Sequence, residues 1–509
     1  MFRNILTVSS GTLLSRLLGF VRDAMLAALL GAGPIADAFL VAFQMVNVIR
    51  RLLTEGALNA ALVPAWLRVR DEQGLIAATA FAGQVLGTIS LAVVAASMLL
   101  GIAMPVVIAG LAPGFVGSTT LQSAVDNARL MLPYLAFAGP VTVMMALLNA
   151  QHRFALTAFS PLLFNAALIA VMLVLLLHPL APTDAALVVA ACVGIAGLLQ
   201  LATLAVSGRR GAIATPLKVS FAAPMRALFA KAVPGMIASS GPQLLIVAGA
   251  IVASRSPAAV SWLYFANRLI ELPLGIVGTA LGTVLVPELT RAVRGDDKAA
   301  LIHAQSRAVE LSIGLALPAT LGLMLLAQPI VRVLFEHGAF MADDTAATAQ
   351  VLALLTLGLP AQVLTKTLAP AFFAREDTMT PLLATLCGLA VALVAALASD
   401  STIGIAAAIA LGGWTTALVL GVRAAARFGL ALDADATRRL PYILVAALTM
   451  GALLWLKTRY VWPLVEGLHT LGQAFVLGLL ISGGLAIYLA LLMLTGVIDL
   501  RSLRTRLRR

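Results

Sequence analysis

The chain has 509 residues, 61% of them hydrophobic and 11% charged, with a formal net charge of +12 and a mean hydropathy of +1.02. A soluble protein carries about 25% charged residues, so the composition excludes an ordinary soluble enzyme and indicates a polytopic membrane protein. Most Lys and Arg fall in short loops between apolar runs or in the tail Arg501, Arg504, Arg506, Arg508 and Arg509, which is positive-inside topology and not a nucleic-acid surface.

About fourteen apolar segments are long enough to cross a bilayer of ~30 Å. The first six are predicted over Ile5–Leu30, Ile35–Leu62, Leu75–Ile108, Ala124–Leu148, Pro161–Leu177 and Ala185–Val206. Six more follow over Met225–Ala253, Ala258–Val286, Val309–Ala327, Thr345–Phe372, Pro381–Leu397 and Thr402–Val422. Pro441–Leu456 and Leu471–Leu494 complete the set. The first segment is broken by Arg16, Arg22 and Asp23 and reads as a retained helix, not a cleaved signal. An even number of spans puts both termini on one side, and the basic tail assigns that side to the cytoplasm.

A weak internal repeat supports the count. The LVP ending at Pro64 recurs at Pro287, and the SPLL around Pro161 is echoed by TPLL around Pro381. Both offsets are near 220 residues, about six spans, which keeps orientation and makes the halves parallel repeats. The expected fold is therefore all-α, with two six-helix lobes at residues 1–215 and 216–430. Residues 431–509 add two further helices and a basic tail.

The first two segments carry Arg16, Arg22, Asp23, Asp37, Arg50, Arg51 and Glu55, and the eighth carries Arg268 and Glu271. A basic residue at the centre of a membrane helix costs about 2.5–3.5 kcal/mol on insertion scales. At ~1.5 Å per residue, Arg16 lies roughly 16 Å and Arg22 roughly 25 Å above the inner start of the first helix. Arg50 falls in the inner half of the second helix and Arg268 near the midplane. Together they read as a ladder of positive charge. Helical spacing pairs Arg51 with Glu55 (i,i+4) and Arg268 with Glu271 (i,i+3). Arg16 and Asp23 share a face two turns apart. Arg22 and Arg50 have no obvious partner within their own helices, which makes them the foremost candidates for a ligand's anionic groups. Arg suits that task because its planar fork grips phosphate and carboxylate oxygens and stays charged. The plain alternative is that these charges pair to fix helix packing. Asp37 opens its helix, where a carboxylate is favourable in any case.

No GxxxxGK[ST] loop, HExxH or nucleophile elbow occurs, so the chain is expected to be neither an ATPase nor another enzyme, and no cofactor or metal is expected. Cys192 and Cys387 lie in apolar runs, and five scattered histidines show no ligand spacing. REDTMTP from Arg375 reads as a turn feeding the next helix, with Pro381 at its start.

At SRLLGFVRD, GAGPIADAFLVAF, VIRRLLTEGALNAALVP and WLYFANRLIELPLGIVGTALGTVLVP the chain resembles the MurJ (MviN-like) lipid II flippases, and LNAQHRFALTAFSPLLFN and APAFFAREDTMTP extend the likeness. The resemblance covers nearly the whole chain. It implies membership of the multidrug/oligosaccharidyl-lipid/polysaccharide exporters, fourteen helices in two lobes around a V-shaped cavity, and alternating access. It further implies that Arg22, Arg50 and Arg268 are essential cavity arginines, that Arg16 and Asp37 are functionally sensitive, and that Asp23, Glu55 and Glu271 line or support the cavity. The last two helices would form a groove for the polyprenyl tail. The chain departs from the pattern at Asn267, where Asp is frequent, and at Val46, where Pro is common.

The function so implied is transfer of lipid II to the outer leaflet of the bacterial cytoplasmic membrane, with coupling to membrane potential or a monovalent ion. The partners are lipid II and membrane lipids, with cell-wall synthesis enzymes as further candidates. A flippase for another polyprenyl-diphosphate oligosaccharide is the nearest alternative. A cation-coupled multidrug exporter would need an acidic or aromatic cavity, and a non-transporting scaffold would not need unpaired intramembrane arginines.

Overall fold

The computed structural model describes residues 2–54, 57–151, 153–209, 217–220, 240–294, 298–373, 375, 377–429 and 432–498. Among these the secondary structure is helical, with no strand. The α-helices are α1 (Phe2–Leu30), α2 (Pro34–Thr54), α3 (Ala57–Leu111), α4 (Thr119–Ala150), α5 (Phe154–Leu177), α6 (Pro182–Arg209), α7 (Gly241–Ala253) and α8 (Ala259–Arg294). They continue as α9 (Lys298–Leu325), α10 (Ala327–Phe335), α11 (Ala342–Thr356), α12 (Leu359–Phe373), α13 (Met379–Leu397), α14 (Thr402–Phe428), α15 (Ala434–Val465) and α16 (Thr470–Leu494).

Nine helices among the described residues are long and apolar enough to cross a membrane, or ten when α11 and α12, bent by 42°, count as one span. The protein is a multi-pass membrane protein. Helices α1, α2 and α8 carry the candidate arginines.

Several expected boundaries shift. The second segment ends at Thr54 and not Leu62, because a new helix begins at Ala57. That helix runs on through Gly74, whose φ of 86° and ψ of 174° break it before the apolar stretch. A 55-residue helix would be about 82 Å long, far beyond a bilayer, so the break divides an amphipathic arm from a spanning one. The single span expected at Thr345–Phe372 is the bent pair α11–α12. Helix α10, nine residues long, was not expected at all. No proline interrupts α2, in keeping with Val46.

Packing groups the chain into two compact units. The first comprises 1–261 with 337–341, and so takes in α7 and the start of α8. Its centre is α4, which packs on α2, α3 and α6. Close approach is possible because Gly194 and Gly197 face α4: a Cβ there would meet Leu130 O at 2.5 Å and Tyr134 Cδ2 at 2.8 Å. Small residues at interfaces are the usual way to pack helices where no hydrophobic effect acts between them. The first half of α3 and the last turns of α4 share a core of Leu62, Trp66, Val85, Ile89 and Leu147.

The second unit comprises 262–336 and 342–509. Here α13 and α14 form an antiparallel pair and α9 packs along α15. Ser401 caps α14 by accepting from Gly404 N–H at 3.1 Å, and Asp433 caps α15 by accepting from Ala436 N–H at 2.8 Å.

Candidate anion site

In the first unit, α1 brings Arg22 and Asp23 to a fully packed position, 9% and 0% exposed. Arg22 donates from Nε and Nη2 to Asp23 Oδ1, at 2.9 and 2.6 Å. Its Nη1 donates to Asn165 Oδ1 of α5 at 3.1 Å, and Asn165 in turn donates to Ser15 O at 3.1 Å. The guanidinium also lies over the rings of Phe43 and Phe164, 5.1 and 5.8 Å from their centroids. The expectation that Arg22 lacks a partner within its helix is therefore corrected: the adjacent residue supplies one. Neighbours in sequence do not face each other on a helix, yet a long Arg side chain folds back far enough to bridge the gap.

Arg50 differs. Its Nε is buried and has no hydrogen-bond partner, and no ion pair to Arg50 is found among the described residues. Near Arg22, Tyr134 of α4 packs against Phe164 with 5.1 Å between ring centroids. Tyr134 Oη sits 3.5 Å from Gln200 Oε1, and Gln200 Nε2 donates to Ser160 O at 2.9 Å. The structure thus sets Arg22 in a neighbourhood built by α1, α2, α4 and α5. Arg16 is half-buried, and no partner of it is found among the described residues either.

Arg51 reaches α7. With the Gln243 amide oriented to satisfy both its ends, Gln243 accepts from Arg51 Nη1 at 2.8 Å and donates to Ser240 O at 3.2 Å. Glu55, its expected partner, lies outside the described residues. Asp37 is 1% exposed and accepts from Ser261 N–H at 2.8 Å and Ser261 Oγ at 2.5 Å. Ser261 is in the first turn of α8, so the carboxylate serves a second helix N-terminus besides its own.

In the second unit, Arg268 Nη1 donates to Glu271 Oε2 at 2.7 Å, the i,i+3 pair read from spacing. Both side chains stay partly exposed, at 18% and 23%.

Sequence reasoning missed Asn165, Phe43 and Phe164. Only the lone Asn inside the apolar run SPLLFN was available as a signal.

Comparison with known proteins decides the family. The profile described as "Lipid II flippase MurJ" matches residues 26–473. The chain belongs to the MurJ family. It is 34% identical over its full length to a probable lipid II flippase MurJ of Rhizobium tropici, covering 96% of that protein. It is also 32% identical to the lipid II flippase MurJ of Burkholderia cenocepacia, over 75% of each chain. A solved MurJ structure in an inward closed conformation shares the fold with a TM-score of 0.77 at 21% identity, covering 96% of this chain and 98% of that one. An inward-facing multidrug resistance MATE transporter of the MOP superfamily aligns with a TM-score of 0.66 at 14% identity, over 84% of this chain and 98% of that one.

Proposed function

We propose that this protein is a lipid II flippase that carries the undecaprenyl-diphosphate-linked precursor from the inner to the outer leaflet of the bacterial cytoplasmic membrane. It acts as a transporter, not a catalyst, with both termini in the cytoplasm. Family membership supports the substrate, and one structural observation supports the chemistry: the buried Nε of Arg50 has no hydrogen-bond partner, whereas Arg22 is satisfied by Asp23 and Asn165. A guanidinium persists at such depth only where water or an anion replaces its lost hydration. The diphosphate and peptide carboxylates of lipid II are such anions, and a guanidinium fork matches their oxygens.

In this reading Arg50 and Arg16 make the first unit's direct contacts, Arg22 joins them with its orientation fixed, and Arg268 is the second unit's candidate. Asp23, Asp37, Arg51, Glu55 and Glu271 hold these groups in place. The hairpin α15–α16 receives the polyprenyl tail. Alternating access moves the headgroup, with membrane potential or a monovalent ion as the energy source. Cell-wall synthesis enzymes are the proposed protein partners. Depletion of the protein in its native bacterium, followed by assay of lipid II on each leaflet, tests the function. Accumulation on the inner leaflet is expected, and unchanged distribution would overturn the reading.

A further inference from the structure

Helix α9 contains Pro318 in its interior, so its ladder lacks one N–H and the carbonyl four residues earlier, on Gly314, loses its helical partner. Tyr488 of α16 fills that vacancy: its hydroxyl donates to Gly314 O at 2.7 Å. Tyr488 itself is 3% exposed. A buried tyrosine hydroxyl needs a partner, and a freed helical carbonyl in hydrocarbon needs a donor. One contact satisfies both.

The same device stands in the first unit. Pro105 interrupts α3, and the carbonyl freed four residues earlier belongs to Gly101. Arg129 of α4 donates from Nε to Gly101 O at 3.4 Å. The two sites read GIAMP (101–105) and GLALP (314–318). They occupy α3 and α9 at an offset of 213 residues, close to that of the repeat, and each proline precedes its helix end by six or seven residues. Chance leaves little reason for both freed glycine carbonyls to be met by a side chain from another helix.

We propose that each Gly-x-x-x-Pro element is a hinge whose open carbonyl is held from a neighbouring helix, and that Tyr488 is the positioning residue by which the hairpin α15–α16 sets the bend of α9. The bend at a proline is otherwise soft, because one hydrogen bond is missing and its carbonyl can swing outward. Tyr488 fixes that carbonyl. Around it the hairpin is fastened to the same face of α9: Asp433 N–H donates to Ser306 Oγ at 2.8 Å, His303 Nδ1 meets Asp433 Oδ2 at 2.9 Å, and Arg439 Nη1 lies 3.5 Å from Glu310 Oε1. Residues 303, 306, 310 and 314 form one stripe at helical spacing. The consequence for transport rests on the flippase reading; the hinge does not.

The test is a double-mutant cycle. Y488F removes only the hydroxyl. P318A restores the missing N–H, so Gly314 O no longer depends on Tyr488. Nitroxide labels at Leu311 and Leu323 of the full-length protein in liposomes, about 18 Å apart along the helix, report the bend by pulsed dipolar spectroscopy. Y488F should broaden or shift that distance distribution and slow lipid II translocation about fivefold, the value of one neutral hydrogen bond. In the P318A background Y488F should change neither measurement. An unaltered distribution in Y488F, or an equal effect in both backgrounds, overturns the hinge. Normal hinge behaviour with no translocation by the unsubstituted protein overturns the flippase reading and leaves the hinge standing.

Discussion

Arg22 and Arg50 are the same residue type on adjacent helices, and their surroundings give them different work. Arg22 is held by a carboxylate, an amide and two aromatic faces. Asp23→Ala would leave that guanidinium without its counter-ion, and breaking a buried pair costs on the order of 3–5 kcal/mol. Its first effect should therefore be a lower Tm in detergent. Arg50→Ala removes a charge with no described partner, so it should preserve Tm and cut lipid II translocation by roughly ten- to a hundredfold, the weight of a charge-assisted contact. The reverse ranking of the two variants in melting and transport assays would exchange the roles assigned here. Arg268→Lys should also transport poorly, since an ammonium cannot reproduce the fork; transport equal to that of the arginine protein would show that charge alone suffices. The Arg268–Glu271 pair was legible because i,i+3 spacing is a property of one helix. Asn165 and Ser261 were not legible, because their contacts with Arg22 and Asp37 join residues 143 and 224 positions apart.

At the scale of elements, periodicity located the helices well and their ends less well. The bounds Ile35–Leu62 and Leu75–Ile108 leave 63–74 as a loop, whereas the backbone is helical there up to a break at Gly74. Nine residues of α10 were too few to stand out between longer apolar runs. The REDTMTP turn does what its composition suggests. Burial pushes the Asp377 carboxyl up, yet the Thr380 N–H and hydroxyl at 2.9 and 2.8 Å, with the Arg427 guanidinium, hold it below the usual carboxylate range. Asp433 is held low in the same way, first by Ala436 N–H and against some burial, with His303 assisting. A carboxyl whose folded pKa lies below its unfolded value stabilises at pH above about 4 and loses that contribution as pH falls through the folded value. Thermal melts from pH 6 to pH 3 should therefore show an acid-side loss of stability that is smaller in Asp377→Asn. Equal slopes in both proteins would show that the turn's ionisation does not contribute.

For the whole molecule, the positive-inside reading makes a directional statement. Reporter fusions after Gly74 and Gly429 should report the cytoplasm, and those after Gly114, Pro182 and Asp400 the outer side. Opposite signals at Gly74 and Gly114 would invert the assignment. Composition alone was enough for the class of fold, because an 11% charged chain with this hydropathy has few soluble solutions. The joining of 337–341 to the first packing unit was not legible. It depends on which backbones approach one another, and no residue pattern announces that.

One such approach joins the end of α1 to the segment 337–341. Gly31 and Gly338 both adopt positive φ, 65° and 59°. A Cβ on the first would meet Ala339 O at 2.5 Å, and on the second Ala28 O at 2.4 Å, while Ala339 N–H donates to Ala28 O at 2.8 Å. Each site forbids a methyl group twice over, by conformation and by space. In a library sampling every amino acid at every position, these two columns should therefore empty together, although nothing in either has a charge, a ring or a reactive atom. Selection at Gly31 and Gly338 would then be for the absence of a side chain, and a gain of one carbon should be as damaging there as a loss of charge at Arg50.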